Sequence, residues 1–201
     1  MRPTRLLLVR HGETEWSRVR RHTGRTDLPL TASGEARARS LAGTLPLDDV
    51  VAVWSSPLRR ARRTAELAGL EVTAVDPDLV EWDYGTAEGR TTAEIREERP
   101  GWTVWADGVD EGESLAEVAS RVDRVLARAA EVDGAVAIVA HAHLLRVLAA
   151  RWLGLAPLVG RHLTLDPGGW AVLGWERETP VLERWNPPPP DDDAAPTTPT
   201  G

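Results

Sequence analysis

The sequence predicts an α/β fold: a three-layer sandwich with a mostly parallel central sheet and helices on both faces. Two patterns carry that expectation. Short apolar segments alternate with stretches of helical periodicity along most of the chain, the order in which parallel sheets are built through helical crossovers. Residues 5–9 and 135–140 are apolar at nearly every position, as strands covered on both faces must be. A chain of 201 residues buries about 70% of its unfolded surface. One domain over residues 1–185 can therefore form a core without disulfides.

Each element has its own signal. Residues 5–9 open the sheet. Thr31 caps a helix reaching about Leu45, with Ala36, Leu41, Ala42 and Leu45 on one side. Residues 50–54 form the second strand, after which Ser56 caps a helix and Pro57 occupies its first turn. That helix buries Leu58, Ala61, Ala65 and Ala68. Residues 72–75 are a candidate third strand, residues 76–89 a loop and residues 92–98 a short helix. Ser114-Leu115-Ala116-Glu117 is a capping box. It opens a periodic helix with Leu115, Val118, Ala119, Val122, Val125, Leu126 and Ala129 on one face. The strand at 135–140 leads into a helix over about 144–153. Residues 161–185 read as two or three strands broken at Pro167-Gly168-Gly169. Residues 186–201, NPPPPDDDAAPTTPTG, hold six prolines and no apolar side chain larger than alanine. They bury too little to offset their ordering entropy, so a disordered tail is expected.

Composition narrows the function. The chain has no cysteine, which excludes a disulfide framework, a thiolate nucleophile and cysteine-ligated metal. Its apolar runs fall far short of the roughly 20 residues that span a bilayer, and the one near the start is too short for a signal peptide. A cytoplasmic protein without membrane attachment is expected. The net charge of −7 gives no footprint for nucleic acid. Every basic residue is arginine, which we read as composition rather than function. An anionic ligand would need a local arginine cluster.

Ligands of parallel α/β sheets sit beyond the carboxyl ends of the strands. There the first strand runs into Arg10-His11-Gly12-Glu13-Thr14, and the second into Ser55-Ser56-Pro57-Leu58-Arg59-Arg60-Ala61. The strand at 135–140 runs into His141-Ala142-His143, and the loop after Val75 adds Glu81 in Leu79-Val80-Glu81-Trp82-Asp83-Tyr84-Gly85. These residue types suit phosphoryl chemistry. Guanidinium forks match phosphoryl oxygens. Imidazole attacks phosphorus only when neutral, a form that neighbouring Arg10 and Arg60 favour by like-charge repulsion. A carboxyl group such as Glu81 can protonate the leaving oxygen and then activate water.

The same blocks resemble the histidine phosphatase superfamily, the phosphoglycerate-mutase-like fold. Arg10-His11-Gly12-Glu13-Thr14 is similar to its signature. Ser56-Pro57-Leu58-Arg59-Arg60-Ala61 with Thr64-Ala65, Glu81 with Gly85 and Gly89, and Val139-Ala140-His141 follow in family order. The resemblance implies that His11 is the nucleophile, that Arg10, Arg60 and His141 form the phosphate pocket, and that Glu81 is general acid and base. It places Ser17, Thr23 and Gly24 near the phosphate or the substrate. Ala142 and His143, after the second histidine, are candidate substrate-binding residues, His143 as pocket lining or as a hydrogen bonder at the helix start. Trp82 and Tyr84, flanking the acid, are candidates for substrate contact. It implies no cofactor and no metal, and a homodimer is compatible with it. A metal on His141 and His143 lacks further clear ligands. Trp102 and Trp105, three apart, would share one helix face, packed in the core or lining the pocket. Arg59, Arg62 and Arg63 read as a solvated charged face, and His22 and His162 have no assigned role.

Within that family, the resemblance favours a phosphatase over a mutase. Trp82 follows the acid where the mutases have Arg, the chain has no Lys, and only about 25 residues separate Gly89 from the Ser114 helix. Glu81-Trp82-Asp83-Tyr84-Gly85, Glu88-Gly89, Thr92, Glu94-Ile95, Trp102 and Trp105-Asp107-Gly108 resemble broad acid phosphatases and sedoheptulose-bisphosphatase-like enzymes. The expected activity is metal-independent hydrolysis of small phosphorylated metabolites through phosphohistidine. The alternatives are a cofactor-dependent phosphoglycerate mutase and a non-catalytic phosphate-binding protein.

Overall fold

A computed structural model describes residues 3–188. Among them one sheet of six strands runs in the order β3-β2-β4-β1-β5-β6. The strands are β1 (Leu6–Arg10), β2 (Val50–Ser55), β3 (Ala74–Val75), β4 (Ala135–Ala140), β5 (Trp170–Glu176) and β6 (Thr179–Trp185). β1 to β4 pair in parallel, and β5 lies antiparallel to both β1 and β6. The mostly parallel expectation therefore holds.

The central strands divide the core by their period of two. Leu6 and Leu8 of β1 join Val136, Ile138 and Ala140 of β4 on one face, while Leu7 and Val9 join Ala137 and Val139 on the other. The first face is covered by α6 (Leu115–Ala129) and α7 (Ala142–Trp152), the second by α3 (Arg59–Leu67) and by Leu41 and Leu45, which follow α2 (Ala32–Arg39). α1 (Glu15–Arg18), α4 (Thr92–Glu98) and α5 (Val104–Asp107) are short. The Ser114 capping box forms as expected, and α6 buries Val118, Ala119, Val122, Val125 and Ala129.

Several boundaries differ from the sequence reading. Thr31 does cap α2, but the helix stops at Arg39 rather than near Leu45. The chain turns through Gly43 at φ 76°, and Leu41 and Leu45 reach the core from outside the helix, while Ala36 and Ala42 are exposed. Ser56 is not the cap of α3, since Leu58 stands there without a side-chain bond. The Ser56 hydroxyl is instead 2.8 Å from His141 Nε2. The third strand is only Ala74–Val75. The region from 161 to 185 yields two strands, because Pro157–His162 forms a 3-10 turn and a loop follows it. The expected tail begins too early. Asn186 Nδ2 donates to Asp166 Oδ2 at 2.8 Å and its Oδ1 accepts from Asp166 N at 3.1 Å. The rest of the tail, from 189 onward, lies outside the described residues.

Candidate active site

The end of β1 is shaped by glycine. A Cβ on Gly12 would lie 2.5 Å from Gly34 O, and one on Gly34 would lie 2.2 Å from Glu13 O. This backbone crossing between the β1 loop and α2 admits only glycine on both sides. It turns His11 into the sheet edge, where His11 N donates to Ala140 O at 3.0 Å and Gly12 N to Thr64 Oγ1 at 3.0 Å.

His11 is 5% exposed, and its Nδ1 stands 2.7 Å from Gly12 O. A carbonyl oxygen only accepts, so Nδ1 carries the proton and Nε2 keeps its lone pair. Burial holds the imidazole pKa well below 6.5, with Arg60 and then Arg10 adding to that effect. The repulsion expected from the sequence is present, but desolvation is the larger cause.

Arg60 and His141 are fully buried behind His11. The two imidazole rings are 5.1 Å apart. Arg60 donates from Nε to His141 Nδ1 at 3.2 Å, from Nη1 to Thr26 O at 2.8 Å, and from Nη2 to Gly24 O at 2.8 Å and Thr23 O at 3.2 Å. One guanidinium thus ties the 23–26 loop to the second histidine. Because Nδ1 of His141 accepts, its proton lies on Nε2, toward Ser56. Arg10 donates from Nη1 to Leu165 O at 2.5 Å, while its buried Nε has no partner among the described residues. Burial lowers the pKa of both arginines, against Glu81, which raises it. Neither loses its charge.

Glu81 lies at the N-terminus of α7. Oε1 accepts from Leu144 N at 2.9 Å and Trp82 N at 3.0 Å, and Oε2 accepts from His143 N at 3.0 Å. The His143 and Leu144 amides are orphan donors of the α7 N-terminus that a carboxylate satisfies, while the Trp82 amide belongs to the loop of Glu81 itself. Arg121 of α6 secures the backbone beneath, donating to Asp78 O, Val80 O and Glu81 O and pairing with Glu113 at 2.6 Å.

A cavity of about 630 Å³ opens over these groups. Of the residues named from the sequence, Arg10, His11, Ser17, Thr23, Glu81, Tyr84, Ala142 and His143 line it. Arg60, His141, Gly24 and Trp82 do not. For Trp82 this is a correction. Its indole is fully buried, donates to Glu113 O at 2.7 Å and meets Trp105 edge-on at 5.6 Å, so it packs in the core behind the acid's loop. Gly24 contributes backbone: its N–H donates to Glu88, and a Cβ there would lie 2.4 Å from Trp82 O. Ser17 lines the wall, with its hydroxyl engaged in the Thr14 capping box.

Trp102 and Trp105 do not share a helix, since Trp102 precedes α5. Trp102 meets His22 edge-on at 5.5 Å, and Trp105 meets His143 at 5.1 Å, so both stiffen the wall from behind. His22 lines the cavity, whereas His162 is exposed and accepts from Arg161. Sequence reasoning missed Arg146, Arg20, Arg21 and the 164–167 loop. Arg146 had a signal: it lies three and four residues after His143 and Ala142, on the same helix face. Among the described residues no group of three or more His, Asp or Glu side chains could hold a metal.

A buried neutral imidazole beside two guanidinium groups and a carboxylate fits attack on a phosphoryl group, which marks a phosphoryl-transfer enzyme. Known proteins narrow the class. The chain belongs to the histidine phosphatase superfamily, branch 1, over residues 6–188. An acid phosphatase of Mycobacterium tuberculosis is 43% identical over 181 residues, 88% of this chain and 89% of that protein. The sedoheptulose 1,7-bisphosphatase of Saccharomyces cerevisiae is 36% identical over 75% of this chain and 68% of its own. The solved structure of an open reading frame from M. tuberculosis superposes with a TM-score of 0.89 at 40% identity, covering 92% of this chain and 98% of that one. With these relatives, the chain is a phosphatase acting on phosphate monoesters.

Proposed function

We propose that the chain hydrolyses small sugar or organic phosphates through a phosphohistidine on His11 Nε2. The observation that carries this reading is the Nδ1 bond to Gly12 O, which leaves Nε2 unprotonated. Nε2 attacks phosphorus, the bond to the ester oxygen breaks, and the carboxyl of Glu81 supplies the proton that the leaving alkoxide takes. Water then attacks phosphorus, the phosphorus–nitrogen bond breaks, and Glu81 accepts the water's proton. The Arg10 guanidinium, which lines the cavity, is a donor for phosphoryl oxygens, and Arg60 and His141 brace the pocket beside it. Guanidinium charge supplies the electrostatic stabilisation, so no step calls on a metal. The activities named for the acid phosphatase and bisphosphatase relatives support this substrate class.

Phosphate release from a panel of esters, measured with EDTA present for wild type and His11→Ala, tests the proposal. The panel includes sugar mono- and bisphosphates, 3-phosphoglycerate and p-nitrophenyl phosphate. Release that survives EDTA and disappears in His11→Ala is expected, with a 32P-labelled acid-labile adduct on the wild type alone. Conversion of 3-phosphoglycerate to its 2-isomer under a bisphosphoglycerate primer, without release, would establish the mutase instead. Release from His11→Ala at the wild-type rate would remove His11 from the chemistry.

A further inference from the structure

The hydroxyl of Tyr84 meets His143 Nδ1 and has no other partner among the described residues. Burial, with Glu81 and Glu88 adding, raises the phenol pKa well above 10, so the hydroxyl keeps its proton. Either group can be the donor in this contact. The basis of the proposal below is the arrangement with the hydroxyl donating to Nδ1, in which the proton of the neutral His143 ring lies on Nε2. That nitrogen has no protein partner among the described residues. It is also absent from the sealed, unpaired polar atoms, which are Arg5 Nε and Arg10 Nε, so the cavity reaches it. The ring cannot swing away. It is packed against Trp105 at 5.1 Å, Tyr84 at 5.8 Å, Trp82 at 6.2 Å and His22 at 6.4 Å. Burial, then Arg146 and His22, keep it neutral.

His143 lines the same cavity as His11, and its ring contacts are with Trp105, Tyr84, Trp82 and His22. His143 also shares the first turn of α7 with the amides that hold Glu81. Glu81 serves the leaving oxygen, so the group beside it faces the next atoms of the leaving alcohol. We propose that Tyr84 fixes His143 as a neutral Nε2–H donor to an oxygen on the carbon adjoining the phosphate ester. The site then selects phosphates of polyols and hydroxy acids over simple aryl phosphates. Tyr84 acts as a positioning residue and His143 as a specificity residue. A neutral donor suits a hydroxyl or carbonyl oxygen and avoids trapping the inorganic phosphate product, which a cationic imidazolium would hold. This inference rests on the phosphatase reading.

The tautomer is measured by NMR on protein carrying 15N-labelled histidine, with His143→Gln assigning the signals. Protonated Nε2 and bare Nδ1 are expected, and a protonated Nδ1 overturns the proposal. Kinetically, Tyr84→Phe is expected to raise KM for glycerol 2-phosphate three- to tenfold more than KM for phenyl phosphate, the size of one neutral hydrogen bond. The kcat ratio of the two esters should hold. His143→Gln, which retains an N–H donor, should keep more of the preference than His143→Leu. A KM ratio unchanged in Tyr84→Phe, or equal in the two His143 variants, overturns the specificity role alone. No hydrolysis of either ester by wild type overturns it together with the phosphatase reading.

Discussion

Glu81 accepts from three backbone amides in this structure. To protonate a leaving oxygen it must turn Oε2 from His143 N toward the cavity. Its contribution is therefore expected to scale with the leaving group's need for a proton. Glu81→Gln should lower kcat on an alkyl phosphate by about 10²- to 10⁴-fold, but much less on p-nitrophenyl phosphate, whose phenolate departs unaided. Equal losses on both esters would assign Glu81 to holding α7 rather than to proton transfer. The motif around His11 was legible because its glycine has a steric cause, the crossing with Gly34. Trp82 was misread because adjacency to an acid says nothing about which side of the loop a side chain takes. Here the indole turns to the core and finds Glu113 O, while Tyr84, two residues on, turns to the cavity.

α6 connects to the site through Arg121, which the sequence hid within a helix whose apolar stripe was otherwise plain. An arginine between Ser120 and Val122 reads as solvated surface, yet this one is 9% exposed and binds the backbone of the Glu81 loop. Its charge is offset by Glu113. Glu113→Gln leaves that guanidinium in a largely buried site with a weaker partner, and should cost about 1.5–3 kcal/mol. Thermal unfolding should shift downward, and kcat should fall because the Glu81 loop loses its strap. A normal melting temperature in Glu113→Gln would show that solvent already screens the pair. The α7 N-terminus shows the converse case. The sequence started that helix near Leu144, two residues late, because His141-Ala142-His143 lacks a side-chain cap, and the cap arrives from Glu81, distant in sequence.

Across the whole domain, His11, His22, His141 and His143 all have pKa values below 6.5, chiefly from burial. For a group depressed on folding, the unfolded chain binds the proton more readily. Stability is then full above about pH 6.5 and falls as the pH drops below it. Partly exposed carboxylates such as Asp78, held low by Arg124, add a second loss only at more acidic pH. Denaturant midpoints should therefore begin to fall between pH 7 and 5, and His143→Gln should flatten that slope. A midpoint constant from pH 7.5 to 5 would show that the four imidazoles take up protons in the folded state. The same depression keeps the His11 imidazole neutral in mildly acidic solution, so with His11 as the proposed nucleophile the acidic limb of the rate profile should lie below pH 6.5.

The sequence alone determined the layer architecture, the strand-end placement of Arg10, His11, Arg60 and His141, and the family. All of these follow from local periodicity and from motifs in which a few neighbouring residues must satisfy one steric or chemical demand. Only the tertiary structure decided which of those residues face the cavity and which stand behind it. It also revealed that Arg60 is bound to three loop carbonyls, that Glu81 caps α7, and that the Tyr84 hydroxyl meets His143 Nδ1. Those outcomes depend on contacts between residues 34 to 62 positions apart along the chain. Burial and hydrogen-bond pairing there result from packing the whole sheet and its helices, which no local pattern encodes.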